Sequence, residues 1–195
     1  MKKIILKNGT VMISTELVDC YIIEPKVHGD HRGYFMETHN ETALKEVGFN
    51  YKFVQGNESF TKEKYTIRGL HFQTEPYTQA KLVRCTQGIV DDVVVDLRIG
   101  SPSYKKWIRV ELSKENKRQL LIPRGFAHGF ITKTEDVVFN YVVDNDYSYP
   151  NDAGILWNDS EIGVDWGIPK DIQPILSDKD TKHPVLSLSR ANFKF

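Results

Sequence analysis

The sequence predicts a mainly β fold, a sandwich or barrel with one short helix, and three observations predict it. Short runs rich in β-branched and aromatic residues follow one another through most of the chain. The breaks between them fall at strong turn chemistry, in HGDHRG, TQG, RIGSPS, SKEN and DNDYSYPND. Only one segment carries the punctuation of a helix, and many strands at this spacing imply a sandwich or barrel.

Taken in order, GYFMET is the first strand, and the helix follows it. Asn40 is placed to cap ETALKEV (41–47), Glu41 puts a carboxylate in the first turn, and Gly48 supplies the stop. KFVQGNES, TIRGLHF, AKLVRC, GIVDDVVVDLR, KKWIRVEL, RQLLIP, FAHGFI and DVVFNYVV then read as strands. The β pattern closes near Trp157, and the tail to Phe195 reads as loop with short helical turns. Alternation says where the unusual residues point. In DVVFNYVV, Tyr141 shares a row with Val137, Phe139 and Val143, so its hydroxyl needs a partner inside the fold. In AKLVRC, Lys81 shares a face with Val83 and Cys85, an uncomfortable place for an ammonium. In TIRGLHFQ, His71 lies with Ile67, Gly69 and Gln73, and Arg68 takes the opposite face unless a bulge at Gly69 intervenes.

The 195 residues fit a single domain, 1–195, long enough to bury roughly 70% of the unfolded surface. Twenty-six basic residues balance twenty-six acidic ones. A nucleic-acid or membrane-surface binder needs a broad basic excess that is absent here, whereas a small anion needs only a few placed arginines. No apolar run approaches the ~18 residues of a membrane span, and MKKIILKNGT lacks the apolar stretch of a signal peptide. Cys20 and Cys85, without CxxC spacing, read as reduced thiols, so a soluble cytoplasmic protein is expected.

Two chemistries compete for the polar residues. A metal-dependent β-barrel of the cupin type uses an HxH pair, a Glu and a later His. Here His71-Phe72-Gln73 lacks the second histidine, and only the later PRGFAH element, with His128, is present, so no metal is expected. Proton transfer beside a carbonyl needs a base of near-neutral pKa, a cation for the oxyanion and an acid. His71, Lys81 and Tyr141 are those residue types. Taken singly, each has a plainer role: a hydrogen-bonded core histidine, a lysine snorkelling to the barrel mouth, a packing tyrosine. Asp180 in LSDKD could cap its turn, and His128 in GFAHGF could be a core histidine. Arg32 in GDHRGYF and Arg68 in TIRGLH suit a phosphate or carboxylate, and Gln55 and Asn57 in VQGNES suit a polar ligand.

The order of the motifs discriminates where single residues do not. GDHRGYFMET, FVQGNES, RGLHFQ, QAKLVRCTQG, DVVVDLRIGSPSY, LSKENKRQLLIPRGFAHGF, ILWND and ILSDKD, from about Val18 to Val185, together resemble the dTDP-4-dehydrorhamnose 3,5-epimerase family. The resemblance implies a cupin-type jelly-roll β-barrel, a homodimer, and an enzyme working with neither metal nor organic cofactor. It implies epimerisation at C3 and C5 of dTDP-4-dehydro-6-deoxy-D-glucose to dTDP-4-dehydro-L-rhamnose. It puts the catalytic histidine on His71, its dyad aspartate on Asp180, the lysine on Lys81 and the tyrosine on Tyr141. Contacts to the nucleotide-linked sugar fall on Arg32, Phe35, Glu37, Gln55, Asn57, Arg68, His128 and Tyr147. In the mechanism so implied, His71, made more basic by Asp180, removes a proton next to the ketone, and Lys81 steadies the enolate. Tyr141 returns a proton from the other face, and Arg32 and Arg68 hold the diphosphate.

The chain departs from the family pattern in places. Gly56 stands where QDN is common, DNDYSYP replaces an NYY run, and DWGIP replaces DWP. These changes spare the four catalytic positions and touch the nucleotide and sugar contacts. Relatives that invert only C3 or only C5, or use another nucleotide, carry much the same histidine and tyrosine. From another class, a nucleotide-sugar-binding cupin without catalysis is the alternative.

Overall fold

The computed structural model describes residues 2–195. Strands β1 (Lys3–Ile5), β2 (Val11–Ser14) and β3 (Tyr21–Glu24) open the chain, followed by a hairpin of β4 (Val27–Asp30) and β5 (Gly33–Met36) and the helix α1 (Glu41–Lys45). Then come β6 (Gln55–Thr61), β7 (Ile67–Gln73), β8 (Lys81–Gln87), β9 (Ile89–Asp96), β10 (Arg98–Ile99) and β11 (Trp107–Ser113). β12 (Gln119–Ile122), β13 (Phe126–Thr132), β14 (Val137–Val143), β15 (Asp152–Gly154) and β16 (Phe193–Lys194) complete the set. Among the described residues no helix is long and apolar enough to cross a membrane.

The long strands form two sheets, one in the order β1-β2-β3-β12-β8-β14-β6 and one in the order β11-β9-β13-β7-β15. Their inner faces meet in a jelly-roll sandwich, with Val83, Cys85, Val90, Val94, Phe130 and Phe139 among the shared core. Cys20 and Cys85 are buried free thiols. Each sheet is also covered on its outer face. Ala43 and Leu44 of α1 pack with Leu82 and Leu121, and the C-terminal tail lays Ile162, Trp166 and Leu186 over Ile67, Val93 and Ile131. Burial on both faces explains why Val93, Val94 and Val95 of β9 are all apolar although successive residues point to opposite sides. The helix follows its punctuation: the Asn40 side chain accepts from the Ala43 N–H, and Gly48 takes φ +92° just beyond the end. The first three strands lie outside the strands read from sequence, because KII, VMIS and YIIE are too short to show a period.

One irregularity matters for the site. His71 of β7 pairs with His128 of β13, but Arg68 pairs with Phe130, so three steps on β7 match two on β13. This bulge spans Gly69 and turns Arg68 and His71 toward the same cavity. Glycine is required there: a Cβ on Gly69 would stand 2.6 Å from Gly129 Cα, at φ +135°.

Candidate active site

The cavity lies between the sheets, has a volume of about 560 Å³, and is lined by Arg68, His71, Lys81, His128, Tyr141 and Asp180 among others. The four proposed catalytic residues therefore line one space. His71 stands on the five-stranded sheet, Lys81 and Tyr141 on the seven-stranded one, and Asp180 arrives from the tail at the start of a 3₁₀ turn (Asp180–Lys182). Alternation placed Lys81 and Tyr141 correctly on the inner face.

His71 Nε2 lies 2.5 Å from Asp180 Oδ1. Burial works to raise the Asp180 pKa, but the imidazoles beside it hold the carboxyl well below the usual carboxylate range. An ionised carboxylate only accepts, so the proton of this bond sits on His71 Nε2 and leaves Nδ1 as the nitrogen able to take a proton. The His71 side chain keeps 32% of its surface exposed while that of Asp180 keeps 4%. The expected lift of His71 basicity by Asp180 is present, but burial outweighs it. Burial lowers its pKa, and Asp180 offsets this only in part.

Across the cavity, burial pushes the Lys81 ammonium down to about 8, against the pull of Asp92 and Asp152. Burial raises the Tyr141 hydroxyl above its ordinary value, so it holds its proton at neutral pH. The partner expected for that hydroxyl inside the fold is instead the open cavity. Arg68 donates to Thr61 Oγ1 at 2.9 Å and to the Phe60 carbonyl, which points its guanidinium along the rim.

A second histidine–carboxylate pair stands beside the first. His128 Nε2 is 2.8 Å from Oδ1 of Asp92, whose pKa burial raises although His128 draws it down. Sequence reading missed Asp92, and its signal was the pair of acids Asp91 and Asp92 set between the valines of β9. His183 was missed as well. It lies in TKHPV, outside any periodic element, yet its Nε2 comes within 3.6 Å of Asp180 Oδ1.

The remaining predicted contacts form two groups away from the dyad. Gln55 Nε2 donates to Asn57 Oδ1, the Tyr147 N–H donates to Gln55 Oε1, and the Tyr147 hydroxyl donates to Asp152. These three make a linked polar cluster, and none of them lines this cavity. Arg32, Phe35 and Glu37 belong to the exposed β4–β5 hairpin region, and none of them lines this cavity. Arg32 pairs with Asp30, Glu37 accepts from Asn8, and Phe35 is 69% exposed.

Comparison with known proteins identifies the family. A family model for dTDP-4-dehydrorhamnose 3,5-epimerase matches residues 14–187. The protein of that name from Shigella flexneri is 51% identical over 170 residues, covering 87% of this chain and 92% of its own. The crystal structure of dTDP-4-dehydrorhamnose 3,5-epimerase from Bacillus anthracis, with TDP and PPi bound, superposes with a TM-score of 0.85 at 46% identity, over 90% of this chain and 98% of that one. A Legionella pneumophila dTDP-6-deoxy-D-glucose-3,5-epimerase in complex with dTDP-4-keto-L-rhamnose gives 0.85 at 40% identity, over 91% and 93%.

Proposed function

The chain belongs to the dTDP-4-dehydrorhamnose 3,5-epimerase family, and we propose a residue-level mechanism for it. The protein is an isomerase that converts dTDP-4-dehydro-6-deoxy-D-glucose to dTDP-4-dehydro-L-rhamnose. One observation carries the assignment of roles: a histidine on one sheet, paired with an aspartate from the tail, faces a lysine and a tyrosine from the other sheet across a single cavity.

The C4 ketone acidifies the C–H bonds at C3 and C5. His71, its Nε2 proton fixed by Asp180, takes the carbon-bound proton on Nδ1. Negative charge moves to the ketone oxygen, where the Lys81 ammonium stabilises it inside a space partly closed to water. Tyr141, on the opposite wall, returns a proton from the other face and inverts the centre. Exchange with solvent then takes the proton from His71 and returns one to Tyr141, and the reset machinery serves the second carbon. Arg68, fixed by Thr61 and Phe60, faces the diphosphate, and the cluster of Gln55, Asn57 and Tyr147 meets the nucleotide.

The β4–β5 hairpin completes the site in a homodimer. A two-stranded hairpin is marginal alone, and this one exposes Tyr34 and Phe35 along β5. Such aromatics mark an interaction surface. Arg32, Phe35 and Glu37 then reach the cavity of the second copy rather than their own.

Proton NMR of dTDP-4-dehydro-6-deoxyglucose in D₂O tests the reaction, with His71→Ala as control. Loss of both the H3 and H5 signals, absent in the variant, is the expected result. Exchange at only one carbon contradicts the double inversion, and wild-type exchange in His71→Ala contradicts the base.

A further inference from the structure

We propose that His71, Asp180 and His183 form a binding site for a first-row divalent cation, with Zn²⁺ the best fit, and that occupancy switches the enzyme off. The ligand atoms of these three side chains lie within 4.8 Å of one another. His183 is the decisive member. Its side chain keeps only 9% of its surface, and its Nε2 is buried without a hydrogen-bond partner among the described residues. It packs so closely on Gly154 that a Cβ there would stand 2.6 Å from His183 Cε1 and Nε2. The glycine makes the room, and the ring it admits aims an unpaired nitrogen at the dyad carboxylate.

Two imidazoles and one carboxylate are the donor set of a three-ligand zinc centre with an open position, whereas Mg²⁺ and Ca²⁺ ask for oxygen alone. Around a tetrahedral Zn²⁺ with bonds of about 2.0–2.1 Å, neighbouring ligand atoms stand roughly 3.3 Å apart. The His183 Nε2 to Asp180 Oδ1 distance of 3.6 Å is already close to this. The 2.5 Å contact of His71 with Asp180 must open, which follows once the bridging proton leaves.

That proton gives the cation its effect. A metal on His71 Nε2 takes the lone pair there, and the neutral ring must then carry its proton on Nδ1. The imidazole keeps its charge and no net proton is released, but the tautomer is reversed and the base is gone. This consequence rests on the role proposed above for His71, whereas the binding site itself does not.

The test titrates the full chain, stripped of metal, with Zn²⁺ by calorimetry and with Co²⁺ by visible absorption, beside His183→Ala and His183→Asn. Circular dichroism checks that both variants are folded. The expected result is one ion per chain, low-coordinate Co²⁺ bands, no displacement by excess Mg²⁺, and binding at least about tenfold weaker in both variants. Equal affinity in the variants, or no such bands, overturns the site. Zn²⁺ bound in full while turnover persists overturns the inhibition. Binding that depends on His183 in a protein with no epimerase activity upholds the site and removes the functional reading instead.

Discussion

Asp180→Asn isolates what the dyad carboxylate contributes, because it removes charge while nearly keeping shape. Asp180 Oδ1 accepts from His71 Nε2 at 2.5 Å, and Ser177 Oγ accepts from the Asp180 backbone N–H, an anchor the amide leaves untouched. Two losses follow. An opposite charge at this range favours an imidazolium by about 1–3 pKa units, or about 1.4–4 kcal/mol, and part of that is felt as the proton arrives. The amide can also turn its NH₂ toward His71, which then carries its proton on Nδ1 and has no lone pair for the substrate. A carboxylate replaced in this way in the serine-protease triad costs about 10⁴-fold in turnover. Turnover here is expected to fall about 10²–10⁴-fold, or roughly 3–5 kcal/mol of barrier, with KM within a few-fold of wild type. The assay is the rate of H3 exchange in D₂O, followed by proton NMR at saturating substrate. Turnover within about threefold of wild type would show that Asp180 neither sets the tautomer nor supports the charge.

Three further perturbations separate the other roles. Tyr141→Phe should keep proton wash-out at C3 while inversion, followed as product formation in a reductase-coupled assay, falls about 10²–10⁴-fold; unchanged inversion would make water the acid. In kcat/KM the acid limb should lie below the ordinary histidine value of about 6.5, because burial lowers His71 and the base works when neutral. The alkaline limb should fall near 8, where Lys81 loses the charge that stabilises the enolate. Lys81→Met should cost about 10²–10³-fold and remove that alkaline limb, and a limb left in place would assign it to another group. Mixing inactive His71→Ala with inactive Arg32→Ala should restore activity, since a mixed dimer with exchanged hairpins carries one intact cavity of its two. No recovery after subunit exchange would place the hairpin residues in their own chain's function.

Much of the sandwich was legible because most strands announced themselves by alternation and turn chemistry. Lys81 and Tyr141 were placed on the inner face by counting alone, and the structure puts both on the cavity wall. Arg68 shows where counting stops. Strict alternation separates it from His71, and only the bulge at Gly69 brings them to one side. The motif contains the glycine but not the register, which depends on Gly129 of the neighbouring strand. Asp92 was legible in principle, as an acid within β9, but its partner His128 lies on another strand. His183 carried no signal, because a tail without periodicity gives no rule for which side chain turns inward.

The dyad offers the sharper lesson, since Asp180 acts on His71 in the expected direction and the net shift is still downward. A carboxylate at hydrogen-bond distance raises a histidine pKa, so Asp180 should make His71 a stronger base. Yet His71 stands between two packed sheets, where loss of hydration disfavours the imidazolium by more than Asp180 restores. Burial depends on what the rest of the chain packs around a residue, and no local motif encodes it. The value of Asp180 is therefore less in basicity than in choice of atom. Its ionised oxygen fixes the proton on Nε2, which leaves the Nδ1 lone pair free at any pH above the depressed titration of the ring. A weak base that is wholly in its reactive form needs the transition-state charge stabilised elsewhere, and Lys81 on the facing sheet answers that need. The pairing of a lowered histidine with a lowered lysine thus belongs to the cavity as a whole, and the two should be perturbed together by any change that lets water in.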